Sequence, residues 1–257
     1  MKEKFKIKNR KSLEIVGILS IPENPKGLAF TLHGLGAFKE HSNTLVMAET
    51  FFSESYTVVN FDTTNSIGES EGKYEDATAQ NHYEDLVDVI TWAKKQTWYQ
   101  EPFLLSGESL GGYASIRYAE ESPLEVKGVF TLAPFIAGEL SLKNKEISHP
   151  EHIKAWKETG WFEEKGTSKP GVIKRLPWSH MEEKLKHDIR PDASKLIMPV
   201  CLVVGENDHP ETQKILYELI PNKKELNIIA DASHVLRTPE HLDELKNILK
   251  KWLEKMK

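Results

Sequence analysis

Apolar residues in this chain come in short runs, and the spacing of the polar residues between them predicts two kinds of element. Two segments near the start, KFKIK and LEIVGILSI, are β-rich and are followed by the turn-forming PENPKG. Four compact apolar runs follow, GLAFTLH, YTVVNF, PFLLSG and VKGVFTLA, with PVCLVVG and ELNIIA later in the chain. Helix-compatible sequence comes after most of them, as in LVMAETFFSES, HYEDLVDVITWAKK, YASIRYAEES, TQKILYELI and PEHLDELKNILKKWLEKM. Strands that are apolar throughout are buried on both faces. Alternating with amphipathic helices, they predict an α/β fold with a largely parallel sheet covered on both sides.

One block interrupts this rhythm. From about 135 to 190 no convincing strand is predicted, yet the block holds Trp156, Trp161 and Trp178, three of the six tryptophans. In HPEHIKAWKETGWFEE a helical reading puts Ile153, Trp156 and Gly160 on one face with Trp161 beside them. The block reads as an insertion between two sheet strands, either a cap packed on the sheet edge or a lid over a pocket.

Composition narrows the classes. A chain of 257 residues with 39% hydrophobic content suits a single α/β domain spanning 1–257. The net charge of −5 provides no bulk reason to expect nucleic-acid binding. Charged residues break every apolar stretch, so neither a signal peptide nor a membrane span is predicted; the basic N-terminus and the KKW…KMK end read as solvated faces, and a cytoplasmic location is expected. The lone Cys201 permits no intrachain disulfide and reads as a buried core thiol. His149 and His152 lack the accompanying ligands of a metal site, and GESLGG lacks the ending of a phosphate-binding loop; no metal and no cofactor are expected.

Two segments, GESEG at 68–72 and GESLGG at 107–112, contain Gly-Xaa-Ser-Xaa-Gly. A nucleophile held on a sharp turn needs a buried strand before it and a helix directly after it, with small residues where backbones pass closely. Ser109 follows PFLLS and precedes LGGYASIRYAEE, meeting these demands. Ser70 follows polar DTTNS and precedes EGKYEDA, so its segment reads as a surface loop.

With HGLG at 33–36, FDTTNSIGESEGK at 61–73, GENDHP at 205–210 and ASHVL at 232–236, the chain resembles the α/β-hydrolase superfamily from about Leu13 to Trp252. The resemblance is to the branch that includes carboxylesterases, cinnamoyl and feruloyl esterases and monoacylglycerol lipases. It implies a mostly parallel eight-stranded sheet with helices on both faces and a helical cap insertion. Similar proteins carry an FDxxGxGxSxG loop whose serine is not the nucleophile, and TTNSI here replaces its Gly- and His-containing stretch.

The fold implies the order serine, acid, histidine, with the last two in loops after late strands. Asp208 follows PVCLVVG and His234 follows ELNIIA, which makes them the expected orienting acid and general base. Glu206 and Asp231 are the rival acids, and His209 reads as a rim residue at most. The backbone N–H of Leu110 is one expected oxyanion donor; by resemblance Leu35 supplies the second, and His33 holds its loop. Trp156, Trp161 and Trp178 are candidate pocket residues. The expected activity is hydrolysis of a small-molecule acyl or aryl ester. A thioesterase or small peptidase is the alternative, and a non-catalytic binding protein would have lost a triad member, which this chain has not.

Overall fold

The computed structural model describes residues 1–166, 169, 171–221 and 223–256. Strands β1 (Lys2–Lys8) and β2 (Glu14–Ser20) form an antiparallel hairpin, followed by β3 (Leu28–Leu32), helix α1 (Ser42–Ser53), β4 (Thr57–Phe61), α2 (Ala79–Ala93), β5 (Phe103–Glu108), α3 (Leu110–Glu121) and β6 (Val126–Leu132). After the insertion come β9 (Val200–Gly205), α7 (Pro210–Leu219), β10 (Lys224–Ile229) and α8 (Pro239–Glu254); β7, β8 and α4 to α6 lie in the insertion itself.

The eight-stranded sheet has the order β1-β2-β4-β3-β5-β6-β9-β10. It is antiparallel only where β2 meets β1 and β4. The remaining pairs, β3–β4, β3–β5, β5–β6, β6–β9 and β9–β10, are parallel. Both faces are covered, and alternate residues of a strand go to opposite cores, as the two-residue period of a strand requires. Phe30, Phe103, Leu105, Val200 and Leu202 face one core with residues of α2, α3 and α7. Ala29, Leu104, Cys201 and Val203 face the other with Met47 and Phe51 of α1 and Leu249 and Trp252 of α8. Cys201 is fully buried there, and burial pushes its thiol up in pKa.

The insertion contains α4 (Gly138–Ser148), α5 (Pro150–Thr159), β7 (Trp161–Lys165), β8 (Ile173–Pro177) and α6 (Trp178–Lys184). It therefore corrects the strandless reading: β7 and β8 pair antiparallel, with Phe162 opposite Leu176. Most positions of this hairpin are exposed and half are charged, so it shows almost no apolar alternation in sequence. Gly160, in the left-handed region at φ 76°, ends α5. Trp161 consequently opens a strand instead of extending the helical face of Ile153 and Trp156.

The cap has a small core of Ile153, Trp156, Leu176 and Met181, against which Leu35, Tyr74 and Phe162 pack. Two tethers hold it to the sheet domain. The Glu183 carboxylate accepts the first helical N–H groups of α2, from Ala79 and Gln80, at 3.0 Å each, and His180 Nδ1 meets the Ala77 carbonyl at 2.7 Å. Because Leu35 belongs to the HGLG loop, the cap lies over the carboxyl end of the sheet, not merely along its edge.

Candidate active site

Ser109 joins β5 to α3 with φ 50° and ψ −115°, in a region that side-chain-bearing residues rarely adopt. The surroundings hold it there: its N–H donates to the Leu132 carbonyl at 3.0 Å, and its own carbonyl accepts from Tyr113 and Phe135, both at 3.0 Å. Gly107 permits the turn, since a Cβ there would come within 2.4 Å of the Gly111 backbone. Ser109 is thus left half-buried at the N-terminus of a twelve-residue helix.

The HGLG loop lies against this turn, since a Cβ on Gly34 would stand 3.0 Å from the Ser109 Cβ. Neither Leu110 N–H, the first of α3, nor Leu35 N–H has an intramolecular acceptor among the described residues. The Leu35 loop is braced from below. His33 is fully buried, accepts from Thr63 N–H at 3.0 Å through Nε2, and meets the Gly34 carbonyl at 2.8 Å through Nδ1. An acceptor Nε2 implies the neutral tautomer protonated on Nδ1. Burial lowers the pKa of this ring, which suits a structural brace more than a proton carrier.

On the far side, His234 Nδ1 lies 2.7 Å from Asp208 Oδ2. The carboxylate accepts a hydrogen bond from Nδ1–H, which fixes the neutral tautomer whose Nε2 carries the lone pair. Burial opposes the imidazolium, but the Asp208 bond outweighs it and the pKa of His234 is raised. The side chain is 49% exposed, so the ring can exchange protons with water. The two loops are stitched together: Asn207 N–H donates to the Ala232 carbonyl at 2.8 Å, and Asp231 N–H to Glu206 Oε2 at 3.0 Å. Glu206 is therefore engaged with backbone. His209 bridges Ser148 of α4 at 3.0 Å and Glu211 at 3.2 Å.

Sequence reasoning passed over Glu108, the residue before Ser109. Its buried carboxylate accepts from Gly34 N–H at 3.3 Å and lies 3.5 Å from His41 Nδ1. Although burial opposes ionisation, His41 brings its pKa below the ordinary carboxylate value, and its charge also raises that of His234. Its position inside GESLGG was the available signal.

The tryptophans occupy the cap. Trp156 is only 4% exposed; its Nε1–H donates to the Leu176 carbonyl at 3.1 Å and its ring packs on Phe162 and Trp178. These contacts place it in the core of the cap. Trp161 stacks beneath the Arg175 guanidinium at 3.8 Å on the hairpin and is likewise committed to the cap. Trp178 is half-buried beside the cap core. Ser70 also differs from the surface-loop reading. It is buried, donating to the Asp62 carbonyl at 2.7 Å and accepting from Val16 N–H at 2.8 Å. Among the described residues no three His, Cys, Asp or Glu side chains are grouped to hold a metal ion, and no helix is long and apolar enough to cross a membrane.

Comparison with known proteins adds a family. The family described as "Serine aminopeptidase, S33" matches residues 23–238. An uncharacterized 31.7 kDa protein from the traX-finO intergenic region of Escherichia coli is 26% identical over 220 residues, 73% of this chain and 76% of that one. Among solved structures, mouse alpha/beta hydrolase domain-containing protein 10 superposes with a TM-score of 0.79 at 16% identity, covering 99% of this chain and 100% of that one. Est1E from Butyrivibrio proteoclasticus, with ferulic acid bound, gives 0.76 at 19% identity, with 98% of both chains covered.

Proposed function

The chain belongs to the family described as Serine aminopeptidase, S33, and with it to the α/β-hydrolase superfamily; from that premise we propose that it is a serine hydrolase cleaving carboxylic esters through an acyl-enzyme. The observation that carries this reading is the backbone of Ser109, held at φ 50° between a buried strand and a helix start. A strained, hydrogen-bonded turn of this kind is costly to build and has its use in presenting a hydroxyl.

In this reading His234 Nε2 removes the Ser109 proton as Oγ attacks the ester carbonyl. The resulting oxyanion takes hydrogen bonds from Leu35 and Leu110 N–H. His234 then gives the proton to the departing alkoxide, releasing the alcohol. Water, deprotonated by the same imidazole, hydrolyses the acyl-serine and restores the enzyme. Asp208 keeps Nε2 as the basic nitrogen and balances the imidazolium charge. Trp178 remains a candidate wall of the pocket, and the substrate is a small acyl or aryl ester.

The test combines a fluorophosphonate probe with p-nitrophenyl butyrate. Labelling confined to Ser109 together with ester turnover supports the reading, whereas labelling that survives Ser109→Ala rejects it. The description of the family favours a peptidase as the second reading. Aminoacyl p-nitroanilides cleaved faster than the ester would establish that alternative.

A further inference from the structure

Three lysines stand around the candidate site, each against a different wall. Lys145 lies on α4, which is fastened across the Asp208 loop by Asn144 Nδ2 to Thr212 Oγ1 and by Ser148 Oγ to His209 Nε2, both at 3.0 Å. It sits between those two fastenings, and its charge acts on both Asp208 and His234. Lys184 is buried on α6, with Nζ 3.2 Å from Ser141 Oγ and 4.4 Å from the centre of the Phe135 ring. Phe135 is the residue whose N–H binds the Ser109 carbonyl. Lys174, also buried, projects from β8 onto the oxyanion loop, its Nζ 2.7 Å from where a Cβ on Gly36 would stand.

These cations are under-compensated. Among the described residues Lys145 and Lys184 have no ion pair, and Lys174 has only Glu164 at 3.9 Å; the half-exposed Glu164 carboxylate also acts on Lys145, so one solvent-screened charge serves two lysines. Asp208 is taken by His234, and Glu183 by His187 and the start of α2. Lys39 shows how this same fold buries a lysine for structure: its Nζ lies 2.9 Å from Asp62 and 2.6 Å from Glu69, and these bonds outweigh burial and raise its pKa. Lys184 shows the reverse, with burial and the Lys145 charge lowering its pKa to about 7. Packing alone does not offset the cost of an ammonium group held without a close counter-charge. An arriving anion would.

We propose that Lys145, Lys174 and Lys184, with the Ser141 hydroxyl, form an anion subsite, so that the preferred ester carries a carboxylate-class anion a short chain away from the scissile carbonyl. This rests on the esterase reading above. The same cations oppose the free α-ammonium that an aminopeptidase substrate would bring. The anion can belong to the acyl or to the alcohol part, and the two are separable by experiment.

Two matched pairs make the test: mono-p-nitrophenyl glutarate against p-nitrophenyl pentanoate, and 4-carboxyphenyl butyrate against phenyl butyrate. The expected result is a kcat/KM ratio of about tenfold or more for the anionic member of at least one pair, falling as salt is raised. Lys145→Met, at an accessible position, and Lys184→Met, which removes a buried amine that a bound anion would hold protonated, should each lower that ratio severalfold. Lys186→Met, exposed on the neighbouring turn, should leave it unchanged. Neutral esters cleaved with both ratios near one, or a preference that survives both variants, overturns the subsite and leaves the esterase standing. No ester cleaved and no fluorophosphonate labelling of Ser109 removes the hydrolase reading and the subsite together.

Discussion

Residues 68–72 and 107–111 are both Gly-Glu-Ser-Xaa-Gly, and the fold treats them in opposite ways. The glycines behave alike: a Cβ on Gly68 would meet Asp62 at 2.2 Å, as one on Gly107 would meet Gly111 at 2.4 Å. The serines do not. Ser109 takes a positive φ with a buried strand before it and a helix after it. Ser70 follows a loop, and both its donor and acceptor capacity are spent on backbone, at Asp62 and Val16. The glutamates also part. Glu108 is buried against the HGLG loop, while Glu69 reaches Lys39 and Lys4 from a half-exposed position. A five-residue motif therefore specifies close backbone packing; the flanking elements decide whether its serine is presented or consumed.

The largest effect that could break this comparison is on turnover. Ser109→Ala should abolish ester hydrolysis and fluorophosphonate labelling, a loss on the order of 10⁴-fold or more, while Ser70→Ala keeps the labelled site. Mass spectrometry of the labelled peptide decides between them. Asp208→Asn should follow with a loss of about 10³–10⁴-fold in kcat, because the imidazole loses its tautomer restraint. Glu206→Gln and Asp231→Asn should be far milder; a crippled Asp231→Asn would move the acid into the final loop.

Next in size is Lys39→Met. It leaves the fully buried Asp62 carboxylate with only two N–H donors, from Lys39 and Glu69. Breaking a buried pair from one side costs about 3–5 kcal/mol, which urea unfolding would read, and adding Asp62→Asn should recover part of it. Ser70→Ala should cost less, about 1–3 kcal/mol, by orphaning the Val16 N–H inside β2. Loss of stability without loss of labelling is the outcome that separates the structural serine from the presented one.

The sheet was legible because its strands are apolar on both faces and its helices are amphipathic, so pattern and burial coincide. GESLGG, GENDHP and ASHVL were legible as loops after strands, and parallel strands necessarily deliver such loops to one end. The β7–β8 hairpin was not legible: in β8 the inward positions are Lys174 and Leu176 while the apolar Ile173 is exposed, so the burial alternation does not follow the apolar residues. The burial of Ser70 was hidden for a related reason. Its partners, Val16 and Asp62, are backbone groups, and no side-chain pattern announces them. Lys145, Lys174 and Lys184 come from three separate cap elements, and only the tertiary placement of the cap brings them to the Asp208 loop, Gly36 and Phe135.

The smallest expected effect concerns the two glutamates. Glu69 accepts from Lys39 at 2.6 Å and also pairs with Lys4, and the Lys39 bond foremost lowers its pKa from 4.5 to about 2. For a carboxylate depressed in the folded state, stability is present above the unfolded pKa and is lost as pH falls through the folded one. The advantage of the parent over Glu69→Gln should therefore be level above about pH 5 and shrink between 4.5 and 2. Its size is limited because the carboxylate is 47% exposed and solvent screens it; surface pairs are worth about 0–1 kcal/mol, or about 2–4 °C in Tm at most for a chain of this size. Glu108→Gln should instead act on chemistry. It removes a charge that supports the His234 imidazolium, so the acidic limb of the pH–rate profile, where the base His234 loses its proton, should move to lower pH while Glu69→Gln leaves that limb in place. If the two substitutions shift the profile equally, the second position of the two motifs does not distinguish them, and the contrast rests on the serines alone.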